Sequence, residues 1–116
     1  MPEKNPITVT IRTHEDGTLV LSPSGEVSYH ESPVLRQSIR EAFDRRPRRI
    51  VADLSGVSYM ATPGLATLVE ALQISKRTQV PLVLAGLTPR VRAVFEIARL
   101  HTVFRIVDSV DAALAT

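Results

Sequence analysis

Residues 50–72 read IVADLSGVSYMATPGLATLVEAL, and two periodicities meet inside this stretch. Ile50 to Leu54 is a short apolar run of the length of a buried strand. Residues 63–77 then place Leu65, Leu68, Val69 and Leu72 along one helical stripe. Thr62, Pro63 and Gly64 stand at the junction. A buried strand followed by an amphipathic helix is the first half of a β-α-β crossover, and such crossovers build parallel sheets.

The same alternation extends in both directions. Upstream, Ile7, Val9 and Ile11 alternate with polar residues, Asp16-Gly17 signals a turn, and Leu19 to Leu21 opens a second strand, so residues 7–23 read as a hairpin. Glu26-Val27 prolongs the extended chain. Residues 33–46 carry Val34, Leu35, Ile39, Ala42 and Phe43 on one stripe, and Pro47 ends that helix. Downstream, residues 82–85 form a buried strand, 89–99 a helix through Val91, Val94, Phe95 and Ala98, 103–107 a last strand, and 108–114 a short helix. The predicted order is β-β-α-β-α-β-α-β-α. The expected fold is α/β: one domain over residues 1–116, with a mixed, mostly parallel sheet, an N-terminal hairpin and flanking helices. The strands of residues 50–54, 82–85 and 103–107 are expected in one sheet, the first two parallel. No internal repeat, low-complexity tract or linker interrupts the pattern.

Composition removes several function classes. The chain has 116 residues, enough for one real core. It contains no cysteine, which excludes disulfides, thiolate catalysis and the commonest structural zinc sites. No apolar run approaches the roughly 20 residues that span a bilayer, and Met1 to Pro6 carry no signal-peptide apolar region. The expectation is a cytoplasmic protein without membrane insertion. A net charge of +2 gives no argument for nucleic acid. Arg45, Arg46, Arg48 and Arg49 in RRPRR can be read as an anion patch or as the exposed end of a helix, where cations suit the dipole. No aromatic residue is interleaved for base stacking, and the helix-end reading is preferred. His14, His30 and His101 lack metal-ligand spacing. No P-loop is present, and neither metal nor cofactor is expected. Asp53 and Ser55 read as turn residues before Gly56.

Ser32-Pro33, Thr62-Pro63 and Thr88-Pro89 share one device. A hydroxyl residue at the N-cap accepts a bond from an orphan backbone N–H, and proline at the first helical position has no N–H to lose. Capping is therefore the plain reading of Thr62. Gly64 distinguishes this junction from the other two. Glycine in a first turn costs up to about 1 kcal/mol relative to alanine, a cost acceptable where something must approach the backbone closely. The junction also follows the carboxyl end of a strand, where open α/β sheets place their sites.

The stretch from Ile50 to Leu72 resembles the central segment of the STAS domain family, which includes the bacterial anti-sigma factor antagonists. Asp53, Leu54, Ser55, Gly56 and Val57 match its Asp-Leu-Ser-Gly-Val. Tyr59 and Met60 match the aromatic and apolar residues that follow. Thr62 falls on the phosphoacceptor of the family signature, Gly64 on its glycine and Leu65 on its apolar residue. Ala61 replaces the usual Asp, and Pro63 the usual small residue. SGEV at Ser24 to Val27 is similar to a second family element, with Ser28 where an Asp usually stands. Pro89 to Leu114 is similar to the closing helix-strand-helix.

The resemblance implies a non-enzymatic regulator that binds an anti-sigma factor serine/threonine kinase and is switched off by phosphorylation, here at Thr62. It implies a binding surface of the loop after Gly25, with Ser28, and of Ala61, Thr62, Pro63 and Gly64, extended along the helix through Thr67, Glu70 and Ala71 on its polar side. With Ser28 and Ala61 in place of carboxylates, it implies slow phosphorylation. An alternative within the family is the STAS subunit of a lipid-transport ABC system, which docks on the transporter ATPase. A small enzyme with Thr62 as nucleophile would need a neighbouring base, and Ala61 supplies none.

Overall fold

A computed structural model of the chain describes residues 7–115; Met1 to Pro6, read above for a leader, lie outside it. Ten elements follow in order: β1 (Thr8–Thr13), β2 (Thr18–Val27), α1 (Ser32–Asp44), β3 (Arg49–Asp53), β4 (Gly56–Met60), α2 (Thr62–Thr78), β5 (Leu82–Ala85), α3 (Pro89–Ile97), β6 (Arg105–Val107) and α4 (Val110–Leu114). The strands form one mixed sheet of order β1-β2-β3-β5-β6, with β4 paired to β2 beyond the end of β3. Only β1 is antiparallel to its neighbour. The hairpin, the crossovers and the shared sheet of the three later strands are as expected from the sequence.

Strand register sorts the apolar residues into two layers, because successive side chains point to opposite faces. Leu19, Ile50 and Leu82 lie in one row, and Leu21, Ala52 and Leu84 in another. Both rows face the main core, filled by Leu35, Ile39 and Phe43 of α1, Leu65 and Leu68 of α2, and Val91 and Phe95 of α3. Between them, Val20, Val51 and Val83 face the other way and form a smaller core with Ala85 and Ala113 of α4. Three helices therefore cover one face of the sheet, and the five-residue α4 covers part of the second.

β4 is the element the sequence did not disclose. Its partners run Gly25↔Val57 and then Glu26↔Tyr59, so Ser58 is an unopposed residue in a bulge. The bulge lets Val57 and Met60, three positions apart, both be buried, which destroys the period-2 signal. β2 is also longer than its hairpin pattern. Pro23 falls between the β3 pairing, which ends at Leu21, and the β4 pairing, which begins at Ser24. At that change of partner no ladder N–H is needed, so proline is accommodated inside the strand.

The parallel strands begin at one end of the sheet and finish at the other. The carboxyl end gathers the loop after β2, the β4–α2 junction and the start of α3.

Candidate functional site

The Thr62 junction is built by β2 and β4 ending side by side. Val27 pairs with Met60, and Ala61 donates its N–H to Val27 O at 2.8 Å. That bond fixes the loop after β2 beside the first turn of α2. Gly64 and Leu65 then donate to Ala61 O at 2.9 and 3.2 Å. Ala61 is therefore the N-cap, with extended backbone at φ −83° and ψ 169°, and no side chain caps the helix.

The expected hydroxyl cap at Thr62 is thus corrected. The helix starts one residue earlier than proline placement suggested: Thr62 occupies the first helical position and Pro63 the second. Its hydroxyl is exposed and free of any capping bond. The same one-residue shift occurs in α1, where Glu31 is the N-cap and the Ser32 hydroxyl donates backward to Ser28 O at 2.9 Å. Only Thr88 caps as expected. Its Oγ1 accepts from Val91 N at 3.4 Å and donates to Val57 O at 3.1 Å, fastening α3 to β4.

Gly64 is buried, and the group that approaches it is the protein itself. A Cβ there would lie 2.8 Å from Met60 Cγ and 2.9 Å from Val27 Cγ1. Glycine lets the first turn of α2 settle onto the paired ends of β2 and β4, and this close seat lifts Thr62 to the surface at the carboxyl end of the sheet. Pro63 and Ala61 beside it are half-buried.

The expected extension of the surface along α2 is also corrected. Thr67 and Ala71 are each 1% exposed, and the Thr67 hydroxyl donates to Pro63 O at 2.9 Å. Glu70 is half-buried and engaged by α1, 2.8 Å from Arg40 Nη2 and 3.4 Å from Arg36 Nε. The buried face of α2 runs through Gly64, Leu65, Thr67, Leu68, Ala71 and Ser75. It is rich in small residues because the helix packs closely against both the sheet and α1. The large residues Val69 and Leu72 sit at its margin, so a stripe drawn through them is turned away from the true face. Ala66, four residues from Thr62 and so on the same side of the helix, is exposed.

Ser28 is half-buried; its hydroxyl donates to Glu31 Oε1. Its carbonyl accepts from Glu31 N and Ser32 N at 3.2 and 3.1 Å, so the loop is a closed turn that leaves Tyr29 and His30 outside. Tyr29 is 73% exposed, and its ring meets His30 edge-on at 5.5 Å. The loop after Gly25 was expected in the binding surface, but neither of these residues was singled out. The available signal was an aromatic residue outside every apolar stripe. On the far side, the Arg90 guanidinium lies 5.1 Å from the centroid of the Tyr59 ring. Asp53 Oδ1 accepts from the Ser55 N–H at 3.1 Å and from its hydroxyl at 2.7 Å, as a turn residue.

The site thus offers an exposed threonine at the start of a helix, and the Ala61–Val27 bond ties that start to the loop that carries the exposed aromatic pair. Among the described residues, no group of three or more His, Asp or Glu is placed to hold a metal ion, and no helix is long and apolar enough to cross a membrane.

A chain with this architecture has close relatives. A chain named as the anti-sigma factor antagonist BtrV of Bordetella bronchiseptica is 32% identical over 100 residues, 86% of this chain and 86% of that one. The anti-sigma-B factor antagonist of Listeria monocytogenes is 27% identical over 100 residues, 86% of this chain and 88% of that one. The crystal structure of an anti-sigma factor antagonist from Mycobacterium paratuberculosis matches with a TM-score of 0.85 at 28% identity, over 94% of this chain and 92% of that one. The STAS domain family model matches residues 9–113, almost every residue that carries the sheet and its helices, and the chain belongs to the STAS domain family.

Proposed function

We propose that this chain is an anti-sigma factor antagonist, a regulator that acts by binding and not by catalysis, with Thr62 as its switch. Its partner is an anti-sigma factor of the serine/threonine kinase type. The observation that carries this reading is the exposed Thr62 hydroxyl at the first position of α2, uncommitted to capping. The antagonist names of relatives that match most of the chain support it. Against a nucleophilic enzyme stands the absence of any base hydrogen-bonded to that hydroxyl among the described residues.

The docking surface combines Thr62, Pro63, Ala61 and Ala66 with the loop from Ser28 to His30. Exposed Tyr29 is its aromatic anchor, the residue type that most often dominates interface energies. Phosphate on Thr62 adds about −1.5 to −2 charges at neutral pH. At a helix N-terminus the fold accepts that charge, so its effect falls on the partner. The test is association with an anti-sigma factor of the serine/threonine kinase type from the same organism. Thr62→Ala should bind like wild type, while Thr62→Glu should stay folded and bind at least about tenfold more weakly, the equivalent of about 1.4 kcal/mol. Equal binding by Thr62→Glu would remove Thr62 as the switch.

A further inference from the structure

The net charge of +2 conceals a separation of charge between the two ends of the sheet. At the amino end, where the parallel strands begin, every crossover connection brings cations. Arg45, Arg46 and Arg48 stand between α1 and β3, all exposed. Lys76 and Arg77 close α2. Arg99 follows α3, and Arg105 opens β6. Among the described residues none of these makes an ion pair. The carboxylates at this end are Glu15, Asp16, Asp44, Glu41 in the last turn of α1 and Glu96 in the last turn of α3, fewer than the cations, and Asp16 is taken up by Arg49 at 3.2 Å and the Thr18 N–H at 2.8 Å. The carboxyl end is the reverse: Glu26, Asp53, Asp108 and Asp111 gather there against Arg90 and Arg92 of the first turn of α3. Complementing helix dipoles accounts for Lys76 and Arg77. It does not account for Arg48 or Arg105, which lie outside the helices.

Two of the largest exposed aliphatic side chains share the basic end. Ile97, at the last position of α3, is 85% exposed, and Val103, in the connection to β6, is 51% exposed. Arg99 and Arg105 flank them in sequence.

We propose that the amino end of the sheet is a docking face for an anionic bilayer surface. Its cations are spread over separate connections at one end of the molecule, which suits a broad field of negative charge. Protruding aliphatic side chains between arginines suit the boundary between headgroups and acyl chains, and they have no use on a nucleic-acid backbone. No aromatic residue stands among the cations to stack bases. Docking by this end turns the Thr62 surface away from the bilayer, where a soluble partner can reach it.

The test is co-sedimentation of the full chain with vesicles of phosphatidylcholine, with and without phosphatidylglycerol. Binding is expected only to the anionic vesicles and should weaken as salt rises. Arg77→Gln should weaken it about fivefold, the effect of one cation near such a surface. Arg90→Gln, the same change in net charge at the opposite end, should leave it unaltered. Arg45→Gln with Arg46→Gln and Arg77→Gln should reduce it about a hundredfold, and Ile97→Ser should weaken it further without shifting the thermal midpoint. Absence of binding to anionic vesicles, equal losses from Arg77→Gln and Arg90→Gln, or stronger binding to duplex DNA at the same ionic strength would each overturn the proposal.

Discussion

Thr62 and Thr88 precede proline in the same way, yet their hydroxyls do different work. The difference lies in where the helix begins: α3 begins at Pro89, whereas α2 begins one residue before its proline. Thr88→Ala loses both a cap on Val91 N and the donated bond to Val57 O. It should cost about 1–2 kcal/mol in urea unfolding. Thr62→Ala loses no bond within the fold and should stay within about 0.5 kcal/mol of wild type. A comparable loss at both positions would contradict the assignment of the cap to Ala61. The sequence made the three Ser/Thr-Pro pairs visible but not this distinction, because a Ser/Thr-Pro pair suits either starting position. Gly64 was legible as a place of close approach. What approaches it, Met60 and Val27, depends on the pairing of two strands, one of which carries no clean period.

At the scale of elements, strands with an unbroken apolar run and helices with one stripe were legible, and the exceptions share a cause. β4 carries a bulge and β2 changes partner at Pro23, and both features follow from long-range pairing that no local window contains. In α2 the stripe was legible but its direction was not, because small residues mark the tightest packing. This is measurable. Ala71→Arg forces a charge into the core and should destabilise by about 3–5 kcal/mol, whereas Ala66→Arg should leave the unfolding midpoint unchanged and weaken partner binding. A stable Ala71→Arg protein would reverse the orientation of α2. The β1–β2 turn offers a second test. The Thr18 backbone N–H bonded to Asp16, then the Thr18 hydroxyl and His14, hold the Asp16 carboxyl well below the ordinary carboxylate range. A depressed folded-state pKa stabilises the fold above the unfolded-state pKa of about 3.9, and the stabilisation is lost as pH falls through the folded value. Asp16→Asn should therefore be less stable than wild type at neutral pH, and the gap should narrow near about pH 2. A gap independent of pH would show that the carboxylate charge contributes nothing at this turn.

For the whole molecule, the parallel crossovers send every helix C-terminus to one end of the sheet and the Thr62 surface to the other. That division was not legible in the net charge or in the RRPRR motif alone, because cations from three distant connections meet only through the topology. It also bears on how the proposed switch at Thr62 would work. The carboxyl end already holds Glu26, Asp53, Asp108 and Asp111, so a partner steered to it by long-range charge presents cations. An added negative charge deepens that field and cannot slow the encounter. Its effect must come after contact, when a bulky charged group beside Pro63 and Ala66 has to be desolvated against a surface shaped for threonine. Thr62→Glu should therefore associate with the anti-sigma factor at the wild-type rate or slightly faster at low salt, and should dissociate at least about tenfold faster. Surface plasmon resonance at two ionic strengths separates the rates. Loss confined to the association rate would mean that repulsion at a distance, and not the fit at Thr62, carries the switch.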